Sequence, residues 1–162
     1  MLLLDQLKNI IIFTYWKIIM LYTIGYESKS IGDLISQLKS HNISTLVDVR
    51  EIPISRKRGF SKTVFSEYLN KNGIEYIHFK KLGSPKNIRK ELKQNNDYFS
   101  FFEKYLEHIQ SHKNIISDLY KIILEKDCCI MCYEDLPSRC HRKIICDEIE
   151  KIDGNGLKIE HL

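Results

Sequence analysis

The residues best suited to chemistry lie in one short segment, CYEDLPSRCHRK, which runs from Cys132 to Lys143 between two apolar runs. It contains two thiols, two carboxylates, an imidazole and two guanidinium groups. A cysteine becomes a nucleophile when a neighbouring base or cation favours its thiolate. Cys132 and Cys140 are therefore the candidate nucleophiles, and Glu134 and His141 are the candidate acid and base groups. We predict these four as catalytic residues.

The environment of Cys140 has two interpretations. Ser138 is a candidate N-cap of the following helix, which would place Cys140 in the first helical turn. There the helix amides and the nearby Arg139 or Arg142 would stabilise a thiolate. The alternative is that Cys140 packs beneath the loop while His141 hydrogen-bonds the backbone. Both interpretations stay open from the sequence.

The arginines point to an anion site. Only six of the 25 basic residues are arginine, and five of these six lie in two short segments, near positions 50 and 140. Arginine offers a planar, permanently charged fork that matches carboxylate and phosphate groups. We therefore predict ligand binding by Arg50, Arg56, Arg139 and Arg142. The alternative is a pair of solvated surface loops, and a net charge of +4 is too small to indicate nucleic-acid binding by itself.

Three further polar residues lie at or near predicted strand ends and are also assigned to ligand binding, namely Glu27, Asp48 and His78. Asp48 can orient an arginine through a bidentate pair, and Glu27 or Glu134 can act as a general base. The alternative is a structural ion-pair network that holds two loops together. His78 could also be a core histidine with a satisfied hydrogen bond.

Metal and dithiol sites are not predicted. Cys129 and Cys132 lie three residues apart on a predicted strand, so their side chains point to opposite faces. The other metal-binding candidates have a spacing that matches no standard zinc pattern: Cys132, Cys140, His141 and His78. We therefore predict no metal and no cofactor.

Strands and helices alternate along the chain, which predicts the elements that position these residues. The predicted strands are LYTIG, ISTLVDV, IEYIHF, CCIMC and LKIEHL. Ser30 is the candidate N-cap of a helix between the first two strands. A polar loop is expected from Lys80 to Asn96, and a helical turn after Pro85 stays open within it. The last helix is expected to face inward through Ile144, Ile145, Ile149 and Ile152.

This alternation predicts an α/β fold, with a mainly parallel sheet of about five strands flanked by helices. Residues 20–162 are expected to form a single domain, as is usual for this length. In parallel sheets ligands bind outside the carboxyl ends of the strands. Both arginine segments and the cysteine loop follow predicted strand ends, so we expect them to meet at one rim of the sheet.

Residues 1–19 are predicted to be an N-terminal extension. Their apolar run is broken by Lys17, is short for a membrane span, and lacks the basic leader and cleavage site of a secretory signal. The segment is either an added helix or strand, or an upstream start artefact with the true start at Met20. Five cysteines, an odd number, indicate free thiols and a cytoplasmic location.

Several motifs, taken in order, resemble the domain-of-unknown-function family number 488. The resemblance runs from Leu21 to the C-terminus and rests on TIGYE from Thr23, DVREIPISR from Asp48, GF from Gly59, YIHFKKLG from Tyr76 and CYEDLPSRCHR from Cys132. It implies a compact α/β domain with a shared polar cluster, and it implies no activity.

A weaker resemblance is to the rhodanese fold, in which a DVR strand precedes a loop and a strand ending in cysteine leads into a helix. Two features depart from that pattern. Arg139 lies one residue too far from Cys132 for the related phosphatase spacing, and the loop carries Glu134 and Asp135. Two carboxylates repel an anionic substrate and oppose thiolate formation. Sulfur transfer and phosphoester hydrolysis by those mechanisms are therefore not expected.

Three functional hypotheses follow, and they leave open whether the protein is an enzyme. The first is a pocket that binds or acts on a phosphate-bearing ligand, such as a nucleotide or a nucleic-acid end. The second is a non-catalytic nucleic-acid-binding module that uses Lys57, Arg58, Lys80, Lys81, Phe60 and Phe79. The third is a partner-binding scaffold whose polar cluster is structural. No membrane partner is expected.

Overall fold

The apolar runs form the strands of one parallel sheet. A computed structural model describes residues 19–154 and 156–162, so the predicted extension lies outside the described residues except for Ile19. The strands are β1 (Met20–Gly25), β2 (Thr45–Asp48), β3 (Glu75–His78), β4 (Cys128–Cys132) and β5 (Lys158–His161). Their order across the sheet is β3-β2-β4-β1-β5, and every described pairing is parallel.

Six α-helices flank this sheet in the part of the chain that the structure describes. They are α1 (Ile31–Ser40), α2 (Lys62–Lys71), α3 (Lys86–Asn95), α4 (Tyr98–Gln110), α5 (Lys113–Glu125) and α6 (Arg142–Asp153). The predicted α/β class with a mainly parallel sheet is confirmed. Ser30 caps α1 as predicted, because its side chain accepts from the Asp33 amide while the Asp33 carboxylate accepts from the Ser30 amide. None of the described helices is long and apolar enough to cross a membrane.

Two apolar cores cover the two faces of the sheet, because successive strand side chains point to opposite sides. Helices α1 and α2 bury Leu38 and Phe65 on one face, while α4, α5 and α6 bury Ile109, Leu119 and Ile149 on the other. The central strand β4 contributes to both cores. Such two-sided burial is expected of a near-continuous apolar strand in a parallel sheet.

Two details differ from the sequence-based expectations. The segment from Lys80 to Asn96, expected to be a polar loop, contains a 3-10 turn at Lys80–Leu82 and all of α3. Helix α3 buries only Ile88, so its polar sequence gave little hydrophobic periodicity to detect. Ile152 was expected to face inward, but it is 45% exposed in the last turn of α6.

Burial of Cys128 predicts a dependence of stability on pH. Burial raises the pKa of this thiol to about 12, whereas an unfolded cysteine ionises near pH ~8.5. Because the folded pKa is the higher one, the stabilisation is complete below about pH 8.5 and is lost as the pH rises towards 12. We expect urea denaturation to show a steeper fall of the unfolding free energy for the wild type than for Cys128→Ala between about pH 8.5 and 10.5.

The control for this comparison is Val47→Ala, which creates a cavity in the same core without removing a titratable group. Its unfolding free energy should be lower than that of the wild type by an amount that does not change with pH. Parallel curves for the wild type and Cys128→Ala would contradict the prediction.

Candidate functional site

A cleft of about 540 Å³ opens at the carboxyl ends of the neighbouring strands β1, β2 and β4. Its walls come from the loops that follow these strands, from α3 and from the start of α4. The lining residues are Tyr26, Arg50, Glu51, Ile52, Ile54, Ser55, Arg56, Lys57, Ser84, Arg89, Leu92, Lys93, Phe101, Cys132, Tyr133, Glu134, Arg139 and His141. This is the edge of a parallel sheet where ligands bind.

The segments near positions 50 and 140 meet at this rim. Val49, directly after β2, donates its amide to the Met131 carbonyl at 3.1 Å and accepts a hydrogen bond at its own carbonyl from His141 Nε2 at 2.9 Å. The parallel register puts Asp48 opposite Met131 and Gly25 opposite Cys132. The order of strands therefore joins two loops that are about ninety residues apart in sequence.

Two thiols and one imidazole form a compact group beneath the cleft. Cys132 Sγ lies 3.8 Å from His141 Nδ1, and Cys140 Sγ lies 4.0 Å from the same nitrogen. Glu134 Oε2 accepts from Cys132 Sγ at 3.3 Å. All three members of the group are buried, but Cys132 and His141 also line the cleft. The structure thus brings together all four residues predicted as catalytic.

The orientation of His141 is fixed by its other contacts. Nε2 faces the Val49 carbonyl, which can only accept, so Nε2 carries the hydrogen. The Tyr105 ring packs edge-on against the imidazole at a centroid distance of 5.0 Å. In the neutral tautomer Nδ1 is then an unprotonated nitrogen directed at both sulfurs.

Cys140 is a fully buried thiol. Burial raises the pKa of the Cys140 thiol well above its ordinary value. Burial alone would lower the pKa of His141, but its contacts with Cys140 and the Val49 carbonyl outweigh burial and raise it. The first interpretation of Cys140 is wrong, because α6 begins at Arg142 with His141 as its N-cap, and Ser138 lies in a separate 3-10 turn. Cys140 therefore lies before the helix and outside its first turn. The contacts are those of the alternative, since Cys140 is buried and His141 bonds the Val49 backbone carbonyl.

Arg50 is held by protein groups at the bottom of the cleft. Its Nε and Nη2 donate to the Asp48 carboxylate at 2.9 and 2.6 Å, and Nη1 donates to Tyr26 Oη and to the Phe60 carbonyl. Tyr76 Oη also donates to Asp48, at 2.6 Å. Burial alone would lower the pKa of Arg50, but the pairing with Asp48 raises it. Arg50 and Asp48 thus form a buried network that joins the first three strands.

Arg142 is fully buried and faces the loop that follows β4. Its Nη1 donates to the Glu134 carbonyl, and its Nη2 donates to the Asp135 carbonyl at 2.6 Å. Arg142 is not among the residues that line the cleft. Its contacts point to a role in shaping the loop that carries Glu134.

Arg56 and Arg139 differ from the buried Arg50 and Arg142 in exposure and in hydrogen bonding. Both are exposed, both line the cleft, and they come from the loops after β2 and β4. Within residues 19–154 and 156–162, neither guanidinium group has a hydrogen bond or an ion pair with another protein group.

The remaining predicted binding residues support the cleft from outside its lining. His78 Nε2 donates to the Arg50 carbonyl at 2.8 Å, and Lys62 Nζ lies 3.3 Å from His78 Nδ1. Glu27 is exposed, and its carboxylate accepts from the Asp135 amide at 3.3 Å. These contacts connect the end of β3 with the loop after β2, and the loop after β1 with the loop after β4.

Two glycines permit the close packing of these loops. A β-carbon on Gly25 would lie 2.1 Å from the Glu134 carbonyl oxygen, and one on Gly83 would lie 2.0 Å from the Glu51 amide nitrogen. Both clashes are with backbone atoms. Any larger residue at either position would therefore push a wall of the cleft away.

Sequence reasoning missed the contribution of α3 to the cleft. Lys93 and Arg89 line it, and Arg89 pairs with Glu51 at 2.8 Å and donates to the Ser84 carbonyl. Ser84 Oγ is buried and has no hydrogen-bond partner among the described residues. Because this segment was expected to be a loop, its residues were not assigned to the cleft. Arg89, the one arginine outside the segments near positions 50 and 140, was a signal that could have indicated a contribution.

One predicted nucleic-acid contact is wrong. Phe60 is fully buried and stacks on Tyr26 at a centroid distance of 4.3 Å, so it cannot stack on a base. Lys57 Nζ donates to the backbone carbonyls of Tyr26 and Glu27 at 2.9 and 2.6 Å. Both side chains hold the loop after β2 against the loop after β1.

A comparison with the models of known protein families assigns the chain to a family. The model of the family described as Domain of unknown function DUF488 matches residues 30–149, about three quarters of the sequence. The chain belongs to this family. The matched part of the DUF488 domain includes helices α1 to α5, the first two thirds of α6 and the whole CYEDLPSRCHR block, while the TIGYE block precedes it. No curated protein and no solved structure matches the chain.

Proposed function

We propose that the cleft binds a phosphate-bearing ligand, a nucleotide or a nucleic-acid end, above the group formed by Cys132, Glu134, Cys140 and His141. One observation carries this proposal. Arg56 and Arg139 reach the same cleft from two loops, and neither guanidinium group is paired within the described part of the chain. An unpaired arginine fork suits a phosphate through charge-assisted hydrogen bonds.

The other walls of the cleft fit a nucleotide better than a bare anion. Tyr133 is 44% exposed and Ile54 is 77% exposed, and both line the cleft beside the arginines. Exposed apolar and aromatic side chains next to cations offer a surface for the flat face of a base. The ligand would thus place its phosphate between Arg56 and Arg139 and its base against Tyr133 or Ile54.

The group at the floor would supply reactivity. His141 Nδ1 is positioned to take the proton of Cys132, which would leave a thiolate at the bottom of the cleft. Glu134, whose carboxylate contacts the same sulfur, is the second proton-accepting group. Arg139 lines the same cleft and would favour the negative charge.

Matched ligand pairs test the proposal by calorimetric titration. AMP should bind at least about tenfold more tightly than adenosine, and a 5′-phosphorylated oligonucleotide more tightly than its 5′-hydroxyl form, because a charge-assisted hydrogen bond contributes about 1.5–3 kcal/mol. Arg56→Gln and Arg139→Gln should each remove most of that difference. Equal binding within both pairs would refute the proposal.

The matched control is Arg58→Gln. Arg58 lies in the same loop as Arg56 and is exposed, but it does not line the cleft. Its replacement should leave the preference for phosphate unchanged. If all three variants weaken binding equally and the loss follows salt concentration, the result favours the non-catalytic nucleic-acid-binding alternative.

A further inference from the structure

The floor of the cleft has the composition of a metal site. Cys132 and Cys140 offer two sulfurs and His141 offers one nitrogen, and these three atoms lie within 4.8 Å of one another. We propose that they bind one thiophilic divalent cation, zinc in the first place, whose remaining coordination position faces the cleft. This inference rests on the proposed function and deepens it, because the ion would lie beneath the bound phosphate. With Cys132 and His141 Nδ1 engaged as its ligands, the ion would take the place of the free thiolate as the reactive group.

The distances fit a tetrahedral ion after a small contraction. Zinc bonds of roughly 2.3 Å to sulfur and 2.1 Å to nitrogen place a sulfur and a nitrogen about 3.6 Å apart in a tetrahedron. The two sulfur-to-Nδ1 distances are 3.8 and 4.0 Å. These two distances need contractions of a few tenths of an ångström, and the two sulfurs, which lie within 4.8 Å of each other, must be about 3.8 Å apart in the bound state.

The histidine is already oriented as a ligand. A metal-binding imidazole usually donates its second nitrogen to a carbonyl or carboxylate, which fixes its tautomer. His141 Nε2 donates to the Val49 carbonyl in this manner, and the Tyr105 ring packs against the imidazole. Nδ1 is thereby left to coordinate the cation.

Two ligands contact the cleft and one lies behind it. Cys132 and His141 are lining residues, whereas Cys140 is not. A cation held by all three would have protein on one side and the cleft on the other. Three protein ligands with one open position, including two cysteines and a histidine, form a known catalytic zinc arrangement. The open position would accept water, the Glu134 carboxylate or an oxygen of the ligand.

The charges balance. Binding replaces the two thiol protons by one divalent cation and releases two protons to solvent. The two thiolates, the neutral imidazole and the divalent cation therefore carry no net charge together. It leaves the positive charge of Arg56 and Arg139 available to a phosphate.

The spacing rule used for sequences misses this site for an identifiable reason. Standard zinc patterns have two closely spaced ligand pairs, whereas here Cys132 ends β4 and the other two ligands follow the 3-10 turn. The loop returns on itself, since Arg142 holds the Glu134 and Asp135 carbonyls. This return brings Cys140 and His141 back to the end of the strand.

Metal binding to the reduced wild-type chain is the first test. Elemental analysis after dialysis against zinc and then buffer should give one zinc per chain. Cobalt should give the visible bands of a tetrahedral ion together with sulfur-to-metal charge transfer. Zinc bound at the site should also protect Cys132 from alkylation. Failure of zinc to bind in competition with a micromolar indicator would overturn the inference.

Variants locate the site. Cys132→Ala, Cys140→Ala and His141→Ala should each weaken zinc binding at least about a hundredfold, in line with the loss of one of three ligands. Cys129→Ala is the control, because this buried cysteine faces the other core. Unchanged affinity in the three ligand variants, or a Cys132–Cys140 disulfide that persists in reductant, would also overturn the inference.

The metal site and the phosphate cleft can be refuted independently of each other. Zinc binding is measured without any phosphate-bearing ligand, and the preference for AMP over adenosine is measured on chelator-treated protein. A protein that does not bind zinc but prefers AMP to adenosine would refute the metal site alone. A protein that binds zinc but does not prefer AMP would refute the phosphate cleft alone.

Discussion

Replacing Arg50 by methionine is expected to lower the free energy of unfolding by about 3–5 kcal/mol, the usual cost of removing one partner of a buried ion pair. Asp48 is fully buried, and its carboxylate faces the Arg50 guanidinium group along two edges. After the substitution, the Asp48 charge would retain only the Tyr76 hydroxyl and the amide of residue 50. Urea denaturation measures the change.

A matched control and a double variant make this prediction specific. Arg58→Met removes an exposed arginine from the same loop and should change stability by less than about 0.5 kcal/mol. Asp48→Asn combined with Arg50→Met removes both charges, so it should cost less than the sum of the two single substitutions. Additive costs would show that the two side chains are not coupled.

Replacing Arg142 by methionine should lower the unfolding free energy by about 3 kcal/mol, because two hydrogen bonds from a charged group contribute about 1.5–3 kcal/mol each before repacking. The Glu134 and Asp135 carbonyls would lose their donors. The loop after β4 should then loosen, and thiol-specific alkylation of Cys132 in the folded protein should become faster. Urea denaturation and timed alkylation measure the two effects.

The control for Arg142 is its neighbour in sequence. Lys143 is exposed and pairs with Asp147 one turn further along α6 at 2.7 Å. Such surface pairs contribute little, so Lys143→Met should cost less than about 0.5 kcal/mol and should leave Cys132 alkylation unchanged. An Arg142→Met variant with wild-type stability but weaker ligand binding would instead support the original assignment of Arg142 to the anion site.

The sequence predicted the sheet because β1, β2 and β4 lie in near-continuous apolar runs, while β5 has the alternation of polar and apolar residues that is typical of a strand. It also predicted that the loops near positions 50 and 140 lie at the same edge, since parallel strands present their carboxyl ends together. Asp48 was expected to orient an arginine, and Arg50 has this contact in the structure. These features depend on local pattern and on the general geometry of parallel sheets.

The sequence did not predict which arginines are buried and hydrogen-bonded and which are exposed. Arg50, Arg56, Arg139 and Arg142 look alike in sequence, but two are buried and hydrogen-bonded while two are exposed and unpaired in the described structure. The difference depends on which backbone carbonyls the fold brings near each guanidinium group. Helix α3 was also missed, because it has only one buried side chain to mark its inner face.

The near-contacts at Gly25 and Gly83 have an evolutionary consequence. At both points one main chain rests directly on another, so the depth and width of the cavity are fixed by backbone geometry. Rim positions such as Ile54 and Lys93 can then vary with little penalty, since their side chains extend into solvent. Related chains could therefore diverge in what they recognise while the same base of the cavity persists unchanged.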